Sequence, residues 1–189
     1  MKKLLLSLVL LLFTILSFGQ ETEFKFTKEG FTDYVITKVD SSKTQSELYK
    51  RALDWVQVTY KNPKEVLLAQ IENDYIRFEG VEKYKLCTKS LGATTCFDIR
   101  YQIEVSFKNG KYKFDVIKVE QYIKTSQYSA GGWYDFPINN TSSYYKDNGE
   151  IRQMWKLYPE SLENVFNSLN LSLKNFMLNK DITSKTKDW

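Results

Sequence analysis

The sequence predicts an α+β domain. Three observations predict it: apolar and polar residues alternate on both sides of Asn109-Gly110, two segments carry apolar residues at helical spacing, and a cysteine pair sets the register of a second hairpin. In the stretch from Tyr101 to Tyr122, Asn109-Gly110 is a dipeptide that tolerates positive φ at both central positions of a two-residue type I′ turn. With Lys108 facing Lys111, Phe107 falls opposite Tyr112, Val105 opposite Phe114 and Ile103 opposite Val116, so one face of both arms is apolar. The other face carries Glu104, Ser106, Lys113 and Asp115.

A chain of 189 residues with 42% apolar and 15% aromatic content suits one domain with a real core. Residues 1–19 read as a signal peptide: Lys2-Lys3, an apolar run from Leu4 to Ile15, then Ser17 and Gly19 at small-x-small spacing before Gln20. The run falls short of the roughly 20 residues that span a bilayer, so no transmembrane segment is expected after its removal. The protein is therefore expected to be exported, to the periplasm or beyond the cell. Without Lys2 and Lys3, 25 basic side chains face 23 acidic ones and the formal charge drops from +4 to +2. The charges are interleaved, which excludes a strong electrostatic footprint for nucleic acid.

Residues 20–32 form an N-terminal extension in which Phe24 and Phe26 alternate with polar residues, as in a short strand or an arm draped over the domain. The domain itself spans 33–180. Asp33 to Val39 reads as its first strand, with Tyr34 and Ile36 on one side and Val35, Thr37 and Val39 on the other. Thr44-Gln-Ser-Glu47 has capping-box spacing and opens a helix with Leu48, Ala52, Trp55, Val56 and Thr59 on one stripe, ended by Asn62-Pro63. Trp55 reads as a core anchor.

Glu65 to Glu72 reads as a strand turning at Asn73-Asp74, which places Ile71 opposite Ile76, Ala69 opposite Phe78 and Leu67 opposite Gly80. Export permits a disulfide between Cys87 and Cys96. Facing each other, they put Leu86 opposite Phe97, Tyr84 opposite Ile99, Gly80 opposite Ile103, Phe78 opposite Val105 and Ile76 opposite Phe107. Glu82 against Tyr101 is the misfit in that register, and Gly80 marks a place for a bulge. The bridge closes a loop of about ten residues, worth roughly 2 to 3 kcal/mol in chain entropy. Tyr158-Pro159-Glu160 opens a second helix, with Pro159 at a favoured first position and Leu162, Val165, Phe166, Leu169, Leu173, Phe176 and Met177 as its apolar stripe. Residues 181–189 form a polar tail.

Between the last strand and this helix lies an insertion, 124–157, rich in aromatic residues and too long for an ordinary connection. Ile151 to Leu157 reads as a short extra helix after Asn148-Gly149. Trp133, Tyr134, Tyr144, Tyr145 and Trp155 are the candidate ligand-binding residues, because aromatic rings beside polar groups stack on sugars or pack on proteins. The alternative is a satellite core beneath the loop.

Three stretches carry a resemblance: Glu47-Leu-Tyr-Lys-Arg-Ala-Leu-Asp-Trp55, Ile76-Arg-Phe-Glu-Gly80 and Phe107-Lys-Asn-Gly-Lys-Tyr112. With the order β-α-β-β-β-β-α, the chain from Asp33 to Met177 resembles a domain-of-unknown-function family of secreted bacterial proteins with a TBP-like fold. The resemblance implies a curved antiparallel sheet in spatial order 2-3-4-5-1 with both helices on one face, and it implies no activity. The open face would present Gln70, Arg77, Glu79, Gln102, Glu104, Ser106, Lys113 and Asp115, a mixture of charges unlike a DNA-gripping surface.

The absence of histidine excludes His-dependent triads and His-ligated metals. Bridged cysteines exclude a thiol nucleophile. Asp135 with Asp147 or Glu150 is the remaining catalytic option, a carboxylate pair of the glycosidase kind, against a reading as solvated loop acids. No catalytic residue, cofactor or metal is assigned. The favoured reading is a non-enzymatic exported binding or envelope-interaction domain, meeting an envelope protein or glycan through the aromatic loop or the open sheet face. Two alternatives stand: a structural module that forms a homodimer through an apolar patch of Val66, Leu68, Val81 and Ile117, and a carboxylate-based hydrolase. The mature protein is expected to begin at Gln20; the intact mass of the exported protein checks this, and a mass that retains residues 1–19 refutes it.

Overall fold

The computed structural model describes residues 22–178; the cleavage expected after Gly19 and the polar tail 181–189 lie outside the described residues. The elements are β1 (Tyr34–Lys38), α1 (Gln45–Thr59), a helical turn α2 (Pro63–Val66), β2 (Leu67–Ile71), β3 (Tyr75–Ser90), β4 (Ala93–Lys108), β5 (Lys111–Ile123), β6 (Gly132–Asp135) and α3 (Tyr158–Leu178). The strands form one antiparallel sheet in order β1-β5-β4-β3-β2, as expected, with β6 added beside β5.

The β4–β5 hairpin has the expected pairs Phe107–Tyr112, Val105–Phe114 and Ile103–Val116. Its turn is not type I′, because only Gly110 has positive φ, +72°. Contacts with the segment after β1 hold it: Asn109 Oδ1 accepts from the Gln45 amide at 2.9 Å, and the Gly110 amide donates to Lys43 O at 2.9 Å. A Cβ at Gly110 would come within 3.0 Å of Ser41 Cα. Farther up, Ile117 is bulged out, so Tyr101 pairs with Val119 and Gln102 with Lys118.

Two registers differ from expectation. β2 begins at Leu67 because Pro63 starts a helical turn, and its hairpin closes through three residues, with Asn73 at φ +63°. Ile71 therefore pairs with Tyr75, Gln70 with Ile76 and Leu67 with Phe78, with an irregularity at Leu68. The slip turns Ile71 outward and brings Gln70 to the helix side, where Tyr49 Oη donates to its Oε1.

In the β3–β4 hairpin the Cys87–Cys96 disulfide and the Leu86–Phe97 pair stand as expected. An irregularity between Glu82 and Leu86, with Tyr84 at φ +55°, then shifts the register by two, so Glu82 meets Ile99, Gly80 meets Tyr101, Phe78 meets Ile103 and Ile76 meets Val105. A shift of two preserves the faces and removes the Glu82–Tyr101 misfit. The Tyr101 ring lies against Gly80, where a Cβ would sit 2.4 Å from its Cζ.

Both helices cover the same face. Thr44 caps α1 through the full capping box. Trp55 is buried against Phe78 and donates to Ser172 Oγ of α3, while Tyr49 meets Phe107 edge-on. From α3, Phe166 packs on Tyr101 and Asn170 accepts from Tyr112 Oη at 2.7 Å and from Thr37 Oγ1 at 3.1 Å. The N-terminal extension is an arm, folded on itself by an isolated bridge between Phe26 and Phe31. Phe24, Phe26 and Phe31 are buried, and the Asn167 amide clasps the Phe24 backbone at both its N–H and its C=O.

Gly80→Ala should cost about 1–3 kcal/mol, because the Tyr101 ring must leave its place. Urea unfolding measures it, and an unchanged midpoint would contradict the close packing.

Candidate functional site: the open sheet face and the aromatic hairpin

Among the described residues the sheet face opposite the helices is uncovered, and its charged residues pair with one another along most of its length. Arg77 donates to Glu104 at 2.8 Å, Gln102 to Glu79 at 3.0 Å, and Lys113 to Asp115 at 2.9 Å. Glu120, with only 8% of its side chain exposed, accepts from Arg100 at 2.6 Å and from Lys118 at 3.0 Å; Lys118 also reaches Asp135 at 3.2 Å. The Arg100 hydrogen bond holds the Glu120 carboxyl below its ordinary pKa, with Lys118 assisting and burial opposing. Gln70, expected here, is absent from this face for the reason given above.

The expected aromatic residues divide into two groups. Tyr144, Tyr145 and Trp155 are partly buried and packed on the core. Tyr144 stacks on Phe136 at 5.6 Å and meets Trp155 and Tyr158 edge-on, and Tyr145 stacks on Phe26 while its hydroxyl donates to Phe26 O at 3.1 Å. Burial raises the pKa of both tyrosines. Arm and insertion thus seal each other, helped by Thr141, whose hydroxyl donates to Thr27 O at 2.6 Å. The extra helix expected at 151–157 is only the 3-10 turn Gln153–Trp155.

Trp133 and Tyr134 lie instead on β6. Trp133 sits opposite Tyr122 on the open side, their rings 5.2 Å apart and edge-on, with the Arg100 guanidinium 4.9 Å from the indole centroid. Tyr134, one residue on, points to the other side and is 47% exposed. At the hairpin tip Tyr128 is 90% exposed. Sequence reasoning missed Tyr122 and Tyr128 as members of this group. The signal available was the run Gly131-Gly132-Trp-Tyr-Asp after a strand rich in alternation.

Two of the three carboxylates considered for hydrolysis, Asp135 and Glu150, are engaged in ion pairs. Asp135 faces Lys118 on the sheet, and Glu150 is bonded to Lys146 at 2.8 Å, which lowers its pKa, whereas a general acid needs a raised one. None of the three lines the groove between β3 and α3, about 470 Å³, or that between α1 and α2, about 580 Å³. The apolar patch expected for self-association is also broken up. Val66 packs on the core, and Arg100 and Gln102 of β4 stand between Val81 and Ile117.

Residues 35–121, from β1 almost to the end of β5, match the family described as a domain of unknown function (DUF4468) with TBP-like fold. This segment is a DUF4468 domain. The crystal structure of a DUF4468 family protein from Bacteroides ovatus superposes with a TM-score of 0.60 at 13% identity, covering 82% of this chain and 91% of that one. A TBP-like protein from Parabacteroides distasonis gives 0.55 at 11% identity, covering 78% and 92%. At such identities the likeness is one of fold. No curated protein matches the chain. The DUF4468 match includes the disulfide hairpin and the whole ion-paired face as far as Glu120, but neither the β6 aromatics nor α3. No helix among the described residues is long and apolar enough to cross a membrane.

Because the folded pKa of Glu120 is depressed, its ion pairs stabilise the domain fully above the ordinary value of 4.5, and this contribution fades as pH falls through the lower folded pKa. Glu120→Gln should flatten the acid limb of the stability curve in that window; an identical acid limb in thermal melts from pH 6 to pH 2 would count against the assignment.

Proposed function

We propose that this protein is an exported, non-enzymatic binding domain that meets an envelope protein through its β5–β6 hairpin. The carrying observation is the distribution of aromatic side chains around that hairpin: exposed Tyr122 and half-buried Trp133 on the open side, Tyr134 on the other, Tyr128 at the tip. A sugar platform needs rings on one side, whereas rings around a projecting hairpin suit a partner that wraps it, with large rigid contact area and polar edges. The Arg100 guanidinium over Trp133 and the ladder of pairs behind it hold the indole in place before contact, which lowers the ordering cost of association. Export is supported by the signal-like residues 1–19 and by the Cys87–Cys96 bridge.

The mature wild type and the Trp133→Ala plus Tyr134→Ala variant, both as immobilised bait, should recover different sets of proteins from envelope extract, with at least one partner lost from the variant. A Tyr145→Phe bait, altered in the packed cluster, should keep that partner. Equal recovery by all three baits removes the hairpin as the contact, and recovery of glycan alone redirects the reading to a sugar ligand.

A further inference from the structure

The ion-paired lattice of the open face stops short at the end of the sheet farthest from β6. There the register sets Lys38 of β1 directly opposite Lys111 of β5, and Lys111 directly opposite Lys108 of β4. Three lysines thus stand side by side across three strands, all on the open side, since their neighbours Thr37, Tyr112 and Phe107 point into the core. Like charges placed directly opposite destabilise a sheet, and nothing in the turn chemistry of Asn109-Gly110 requires them. None of the three has a carboxylate within ion-pair distance among the described residues, in contrast to Arg77, Arg100, Lys113 and Lys118 along the same face. Asp40, the acid nearest in sequence to Lys38, accepts from the Ser42 amide and hydroxyl at 2.9 Å.

The same corner contains a cavity. A recess of about 220 Å³ is lined by Lys108, Lys111 and Lys113, with Ser106 and Ile36 beside them and Asp74 at the β3 side. Its polar lining is suited to an oxyanion: ammonium donors on two strands and a hydroxyl that can donate between them. Lys113 is balanced by Asp115, so the unpaired Lys108 and Lys111 against the carboxylate of Asp74 leave the lining at +1, and Lys38 adds a further charge beside Lys111. The two observations are independent, one from strand register and one from surface shape, and both lie outside the aromatic hairpin.

We infer that this corner is a binding site for a phosphate group, bound through Lys108 and Lys111 with Ser106 as the hydroxyl donor, while Lys38 adds positive charge beside Lys111. The unfavourable row of like charges then has a reason: it is relieved when the anion sits between the ammonium groups. The ligand is a phosphate monoester or diphosphate, free or carried on a lipid headgroup. The site does not depend on the partner proposed for the hairpin, and either reading can fail without the other.

Inorganic pyrophosphate titrated into the mature protein at low salt, by calorimetry, is the direct probe. Wild type should bind with an affinity that falls as sodium chloride is added. Lys108→Gln with Lys111→Gln should weaken binding by about tenfold or more, the effect of losing charge-assisted bonds, while Lys61→Gln with Lys64→Gln, which removes equal charge elsewhere, should leave it unchanged. Melting temperature gives a second readout: pyrophosphate should raise it for wild type, and the Lys108/Lys111 variant should melt higher than wild type without ligand and gain nothing from it. Displacement of bound pyrophosphate by phosphatidic acid vesicles, which carry a phosphate monoester, would assign the group to a lipid, and no displacement would assign it to a soluble ligand. Absence of binding at low salt, or equal weakening by both pairs of substitutions, overturns the inference.

Discussion

The two faces of β4 and β5 impose the constraint from which the rest of the molecule follows. Side chains alternate along a strand, so once Phe107 and Tyr112, Val105 and Phe114, and Ile103 and Val116 pair, the odd positions of β4 from Ile99 to Phe107 and the even positions of β5 up to Val116 must be covered. Both helices lie on that side for this reason, and the N-terminal arm completes it with Phe24 against Phe114 and Phe166. The opposite side must then remain hydrated or be used. Its solution is polar: a network of paired charges in place of apolar side chains.

That network explains how the open face can be exposed without being sticky. Arg100 bridges Glu79, Glu120 and the Trp133 ring, and Glu120 in turn engages Lys118. Pairing neutralises the face along its middle and leaves its two ends chemically distinct. One end presents aromatic rings on a projecting hairpin and the other a row of lysines beside a recess. The paired charges offer little to a phosphate backbone along the length of that centre.

The arm and the insertion show why part of the candidate site could not be read in advance. Tyr144, Tyr145 and Trp155 looked the same in sequence as Trp133 and Tyr134, because composition alone does not separate a satellite core from a contact surface. What separates them is Phe26, which arrives from more than a hundred residues away to stack on Tyr145. β6 was equally obscure: four residues beginning with glycine have too little alternation to announce a strand, and they become one only because β5 extends past β1 and offers a free edge.

The sequence by itself determined the class of fold, the helix boundaries marked by the Thr44 capping box and Pro159, the Cys87–Cys96 pairing and the buried face of β3, β4 and β5. These are local properties, periods of 2 and 3.6 and turn or cap chemistry, and they survive errors of register by two, as at Tyr84. The tertiary structure alone decided the offsets: the outward turn of Ile71, the bulge at Ile117, the seating of Tyr101 over Gly80, the division of the aromatic residues and the alignment of Lys38 with Lys111. Each of these depends on which distant segment docks beside a strand, and side-chain alternation carries no information about that choice.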